Sequence, residues 1–91
     1  MKEQVLNFLQ ESKGNALVVN YDNDQFFVGH SVDNFNFKLG EYTENQITLH
    51  EGSDEAFLFA FTLNDIESVN ETEYTLTIHY ENGAFLQLDV V

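Results

Sequence analysis

Alternation is the strongest constraint in this chain. Tyr74, Leu76, Ile78 and Tyr80 alternate with Thr75, Thr77 and His79, and apolar residues alternate again after Glu81-Asn82-Gly83. A period of two sends successive side chains to opposite faces of a strand, so the two runs predict an antiparallel hairpin with one apolar face. A two-residue Asn82-Gly83 turn would oppose Leu76 to Asp89 and Ile78 to Gln87. A three-residue loop with a left-handed Gly83 in a bulge instead pairs Tyr74 with Val90, Leu76 with Leu88, Ile78 with Leu86 and Tyr80 with Ala84. The pattern selects the bulged turn, because a slip of one residue would move every apolar side chain to the wrong face.

The same period runs through most of the chain. Leu17, Val19 and Tyr21 form one apolar set and Phe26, Val28, His30 and Val32 the next, with Asp22-Asn23-Asp24-Gln25 read as the turn. A two- or four-residue loop there pairs Tyr21 with Phe26, Val19 with Val28 and Leu17 with His30. A second turn at Asp33-Asn34 pairs Val32 with Phe35, His30 with Phe37 and Val28 with Leu39. Ile47 and Leu49 mark a short strand. Residues 56–63 are apolar on both faces, which suits a central or doubly covered strand. Ile66 and Val69 extend that strand or form a turn. Ahead of all this, Val5, Leu6, Phe8 and Leu9 make one helical stripe over residues 2–13, with Glu3 in the first turn, Lys13 in the last and Gly14 as the stop. The expected architecture is α+β, an N-terminal helix packed on a five- to six-stranded antiparallel sheet, mostly a meander, as a curled sheet or small open barrel. One domain spans residues 1–91. Small Sm- and SH3-type barrels are similar in the order of their elements.

Composition limits the chemistry. The 91 residues contain no Cys, which removes disulfides, thiolate metal sites and Cys nucleophiles. No apolar run approaches the roughly 20 residues that span a bilayer, and Met1-Lys2-Glu3-Gln4 does not open a signal peptide. A cytoplasmic location is expected. His30, His50 and His79 are spread over different strands without metal-ligand spacing, and Asp22-Asn23-Asp24 lacks the Gly and distant Glu of a calcium loop. No phosphate loop, nucleophile elbow or zinc helix is present. No enzyme activity, cofactor or metal is expected.

Charge carries the functional expectation. Sixteen acids face three lysines and no arginine, for a formal net charge of -13. Residues 1–38 hold five acids and all three lysines, whereas residues 39–91 hold eleven acids and no base. Direct binding to nucleic acid or to an anionic membrane is excluded, since both depend on Lys and Arg. A basic protein would be attracted. The candidate protein-binding residues are Glu41, Glu44, Glu51, Asp54, Glu55, Asp65, Glu67, Glu71 and Glu73. Carboxylates two apart on a strand lie about 6.5 Å from each other, close to the spacing of neighbouring phosphates. In size and charge the chain resembles small phage-encoded or mobile-element inhibitors that mimic DNA, and a toxin-neutralising immunity protein has the same features. The resemblance implies a basic partner that itself binds nucleic acid. The alternative is a self-associating housekeeping domain without a ligand. Phe27, Val18, Leu58 and Phe85 leave the main core face by alternation, and a homodimer through Phe27 and Phe85 would favour that alternative.

Overall fold

A computed structural model describes residues 2–12, 17–22, 24–28, 37–51 and 57–90. Helix α1 (Lys2–Glu11) is followed by eight strands: β1 (Leu17–Tyr21), β2 (Asp24–Val28), β3 (Phe37–Tyr42), β4 (Gln46–Glu51), β5 (Phe57–Thr62), β6 (Ile66–Glu71), β7 (Thr75–Tyr80) and β8 (Phe85–Val90). The class is α+β, with one N-terminal helix and antiparallel sheets. The alternation predicts a single sheet, but the strands divide between two. Five form a sheet in the order β2-β1-β8-β7-β6, and three form a second in the order β3-β4-β5.

The topology is up-and-down. Each strand pairs with the next in the chain, and β8 returns to β1, except at two breaks. One break lies between β2 and β3, the other between β5 and β6, and they leave the ring of strands open. Among the described residues, the expected meander across β1, β2 and β3 is not carried from Val28 to Leu39. Leu39 pairs with Leu49 of β4, not with Val28, and Val28 pairs with Leu17. The proposed turn at Asp33-Asn34, with His30, Val32 and Phe35, lies outside the described residues.

The β1–β2 register is also tighter than the alternation predicts. Tyr21 pairs with Asp24, Val19 with Phe26 and Leu17 with Val28, so Asp22-Asn23 is a two-residue loop. Asp22 has a φ of 47°, the left-handed conformation that a type I′ hairpin turn requires and that Asp tolerates. A shift of two residues keeps every side chain on its face, so alternation alone does not distinguish the two registers. The β7–β8 hairpin matches the expected register throughout: Leu76 pairs with Leu88, Ile78 with Leu86, and His79 with Phe85. The Tyr80 N–H bonds the Ala84 carbonyl at 2.9 Å, and Gly83 sits at φ 91°.

Inward-facing residues from both sheets build one core. Leu17, Val19, Ile47, Leu49, Leu76, Ile78, Leu86 and Leu88 are fully buried. Val5, Phe8 and Leu9 of α1 join them, as the i, i+3, i+4 stripe predicts. Strand β5 is an edge strand, not a central one. It contributes buried Phe59 and Phe61 to the core, and Leu63 follows it there. Val18 and Phe85 are half-buried and outside the core cluster, consistent with their position on the outer face.

Candidate functional site: an acidic rim of turns

An up-and-down ring sends alternate connections to the same end. The connections β1–β2, β3–β4, β5–β6 and β7–β8 therefore share one end, and the helix leads into β1 at the other. Each of the four turns pairs a carboxylate with an asparagine: Asp22-Asn23, Glu44-Asn45, Asn64-Asp65 and Glu81-Asn82. Asp22, Glu44, Asp65 and Glu81 are all exposed, and so is Glu67 at the start of β6.

Backbone hydrogen bonds tie these turns into a rim. The Leu63 N–H donates to the Asn45 carbonyl at 2.8 Å, and the Thr62 hydroxyl donates to the same oxygen at 3.2 Å. The Glu81 N–H reaches the Asp65 carbonyl at 2.8 Å, and the Asp22 N–H reaches the Phe85 carbonyl at 3.2 Å. Local side-chain bonds shape individual turns. The Asn45, Asn64 and Ala84 N–H groups donate to Thr43 Oγ1, Thr62 Oγ1 and Asn82 Oδ1 at 3.1, 3.0 and 2.9 Å. Such contacts are the reason Asn and Thr recur at turns. Asp65 has a φ of 60°, a conformation that Asp tolerates better than bulkier residues do.

Between two of the turns lies a cleft of about 450 Å³ lined by Tyr21, Thr62, Asn64, Asp65, Tyr80, Glu81 and Asn82. Tyr80 is buried, and its pKa is pushed up to about 12 by burial and by neighbouring Tyr21. It stays a neutral hydrogen-bond donor across the physiological range. Lys38 is the second residue of β3, near the opposite end, whereas Lys13 lies outside the described residues.

The nine carboxylates singled out by sequence do not gather in one place. Glu44, Asp65 and Glu67 belong to the turn end, and Glu41 is the fifth residue of β3, close to it. Glu51 ends β4, Glu71 ends β6 and Glu73 follows it, all at the helix end. Asp54 and Glu55 lie outside the described residues. A six-residue strand places the two groups about 17–20 Å apart. The predicted row of carboxylates two apart does not form on β6, where Glu67 falls in a register shift between Ile66 and Ser68 and Glu71 pairs with Leu76. At the helix end, Glu11, Glu71 and Glu73 line a cleft of about 360 Å³ with Phe8, Ser12, Thr72, Tyr74 and Val90.

Sequence reasoning grouped acids by adjacency and so missed Asp22 and Glu81. The recurrent acid–asparagine pair at every second connection was the signal that would have found them. Among the described residues, no group of three or more His, Asp or Glu side chains could hold a metal ion. His50 is on the three-stranded sheet and His79 on the five-stranded one, while His30 is not described. Among the described residues, no helix is long and apolar enough to cross a membrane. No family model matches this chain, and no curated protein or solved structure matches it either.

Proposed function

We propose that the protein is a non-enzymatic interaction protein whose turn end engages a basic protein partner and blocks it. The observation that supports this reading is the rim itself. Five exposed carboxylates gather at one end, Asp22, Glu44, Asp65 and Glu81 in turns joined by hydrogen bonds and Glu67 at the start of β6. Like charges held together raise the local negative potential, which steers a basic surface into contact and disfavours acidic competitors. The cleft beside Asp65 and Glu81 offers carboxylates next to tyrosine, a setting that favours a lysine or arginine side chain. The partner is a protein whose basic surface otherwise holds nucleic acid, so the chain acts as an inhibitor that mimics a polyanion.

The test is a pull-down from the source organism, eluted by a salt gradient, with DNA or RNA as competitor. A basic nucleic-acid-binding protein should elute at moderate salt and be displaced by nucleic acid. Neutralising the rim (Asp22→Asn, Glu44→Gln, Asp65→Asn, Glu67→Gln, Glu81→Gln) should abolish capture. Recovery of nothing but the bait at low salt would overturn the proposal.

A further inference from the structure

Strand β6 ends the five-stranded sheet, and among the described residues it pairs with β7 alone. The ladder on β7 shows which backbone groups of β6 are left over. The Val90 N–H donates to the Tyr74 carbonyl at 2.8 Å and the Tyr80 N–H to the Ala84 carbonyl at 2.9 Å, so the even-numbered residues along β7 turn their backbone groups towards β8. Bonding alternates along an antiparallel strand, so Thr77 and His79 turn theirs towards Asn70 and Ser68 of β6. The Thr72 N–H, which donates to the Thr75 carbonyl at 2.7 Å, fits the same alternation. Val69 and Glu71 stand opposite Ile78 and Leu76, and both therefore direct N–H and C=O away from β7, along an open edge.

Four strands end a sheet, and they differ in charge. Strand β6 carries Glu67 and Glu71 and no base, with Asp65 before it and Glu73 after it. Strand β2 has Asp24 alone, β3 has Glu41 and Lys38, and β5 has no charged residue. Between the acids of β6, Val69 packs against the core.

We propose, resting on the reading of a basic partner, that the open edge of β6 takes up an extended lysine- or arginine-bearing segment of that partner as a further strand. Backbone pairing provides the docking, and charge selects the occupant. A second copy of β6 laid antiparallel on this edge brings its own Glu67, Glu71 and Glu73 against the same acids, which repel it. A basic segment is attracted instead. Its inward side chains place Lys or Arg opposite Glu71 and an apolar residue, two positions on, beside Val69. Glu71 also lines the cleft of about 360 Å³ with Glu11 and Glu73, which gives a long basic side chain room. Seven extended residues cover about 20 Å, so one segment reaches both groups of carboxylates, from Glu73 at the helix end to Glu67 at the turn end.

The probe is the capped heptapeptide Lys-Thr-Lys-Thr-Val-Thr-Lys, titrated into the intact chain at 20 mM NaCl and followed by calorimetry and amide hydrogen exchange. It should bind, and the Val69 and Glu71 amides should become about tenfold more protected. A twin methylated on the amide nitrogens of its second Lys and its Val keeps the charge and loses the donors that face β6. It should bind about tenfold more weakly. Val69→Pro removes an outward N–H and no bond to β7, a position where an edge strand tolerates proline. It should weaken the unmethylated peptide about tenfold and reduce capture of the partner in the pull-down, while thermal melting shows a folded chain. The methylated twin, measured on the unaltered chain, guards against misfolding of that variant. Equal binding of both peptides means that charge alone holds them, which overturns strand addition and leaves the basic partner standing. Binding of neither peptide also overturns strand addition, and the rim-neutralised pull-down then decides the basic partner separately.

Discussion

The phenolic hydroxyl of Tyr80 donates a 2.6 Å hydrogen bond to the carbonyl oxygen of Thr62, joining β7 to β5 across the break between the two sheets. No ladder crosses at that point, so this side-chain bond supplies a link that strand pairing does not. Tyr80→Phe keeps the ring in the core and removes only the hydroxyl. A net hydrogen bond of this kind contributes about 1 kcal/mol. In a domain of this size its loss should lower the melting temperature by about 4–8 °C, readable by calorimetry.

Tyr80 also sets an alkaline limit on stability. Its pKa rises from 10.0 to about 12 on folding. Between those values the folded state keeps a proton that the unfolded state has released, so stability falls as pH climbs through that window. The contribution is complete below pH 10 and is lost by about pH 12, a total of roughly 2–3 kcal/mol. Tyr80→Phe lacks this limb. Urea denaturation of both proteins from pH 8 to 11.5 should show the wild type more stable at the start and the variant more stable at the end. Parallel curves would show that burial does not hold this proton.

Gly83 occupies φ 91° with open space where a Cβ would project. Gly83→Ala should therefore cost roughly 1–2 kcal/mol through backbone strain alone. Gly83→Asn should cost less, since Asn enters the left-handed region more readily. Denaturant midpoints of the two variants provide the comparison.

Leu88 is fully buried between Val19 and Leu76 in the sheet. Leu88→Ala should cost about 2–5 kcal/mol by leaving a cavity. The half-buried, outward-facing Val18 should tolerate the same truncation with a loss of about 1 kcal/mol or less. Denaturant unfolding of the two variants separates the core from the outer face.

With a net charge of -13 on one chain, self-repulsion opposes the folded state at low ionic strength. Added salt shortens the Debye length from about 30 Å at 0.01 M to about 8 Å at 0.15 M. The melting temperature should rise across that range in dilute protein. The five-fold rim neutralisation should raise the low-salt melting temperature and flatten the salt response. An unchanged salt response would show that the rim carboxylates do not repel one another appreciably.

What the chain states locally, it states well. The helical stripe of Val5, Phe8 and Leu9, the bulged β7–β8 turn and the inward faces of β1, β4, β7 and β8 could all be read from residue order. Those features depend on spacing and on turn chemistry within a few residues. Which strands become neighbours does not. Alternation says that Leu39 faces inward but not whether it meets Val28 or Leu49, and it is blind to a two-residue shift such as Val19 pairing with Phe26. Tertiary structure decided both, because such pairings are selected by the packing of the whole core. It decided the candidate site for the same reason. Asp22, Glu44, Asp65 and Glu81 are far apart in the chain, and they share one end only because an up-and-down ring returns every second connection there.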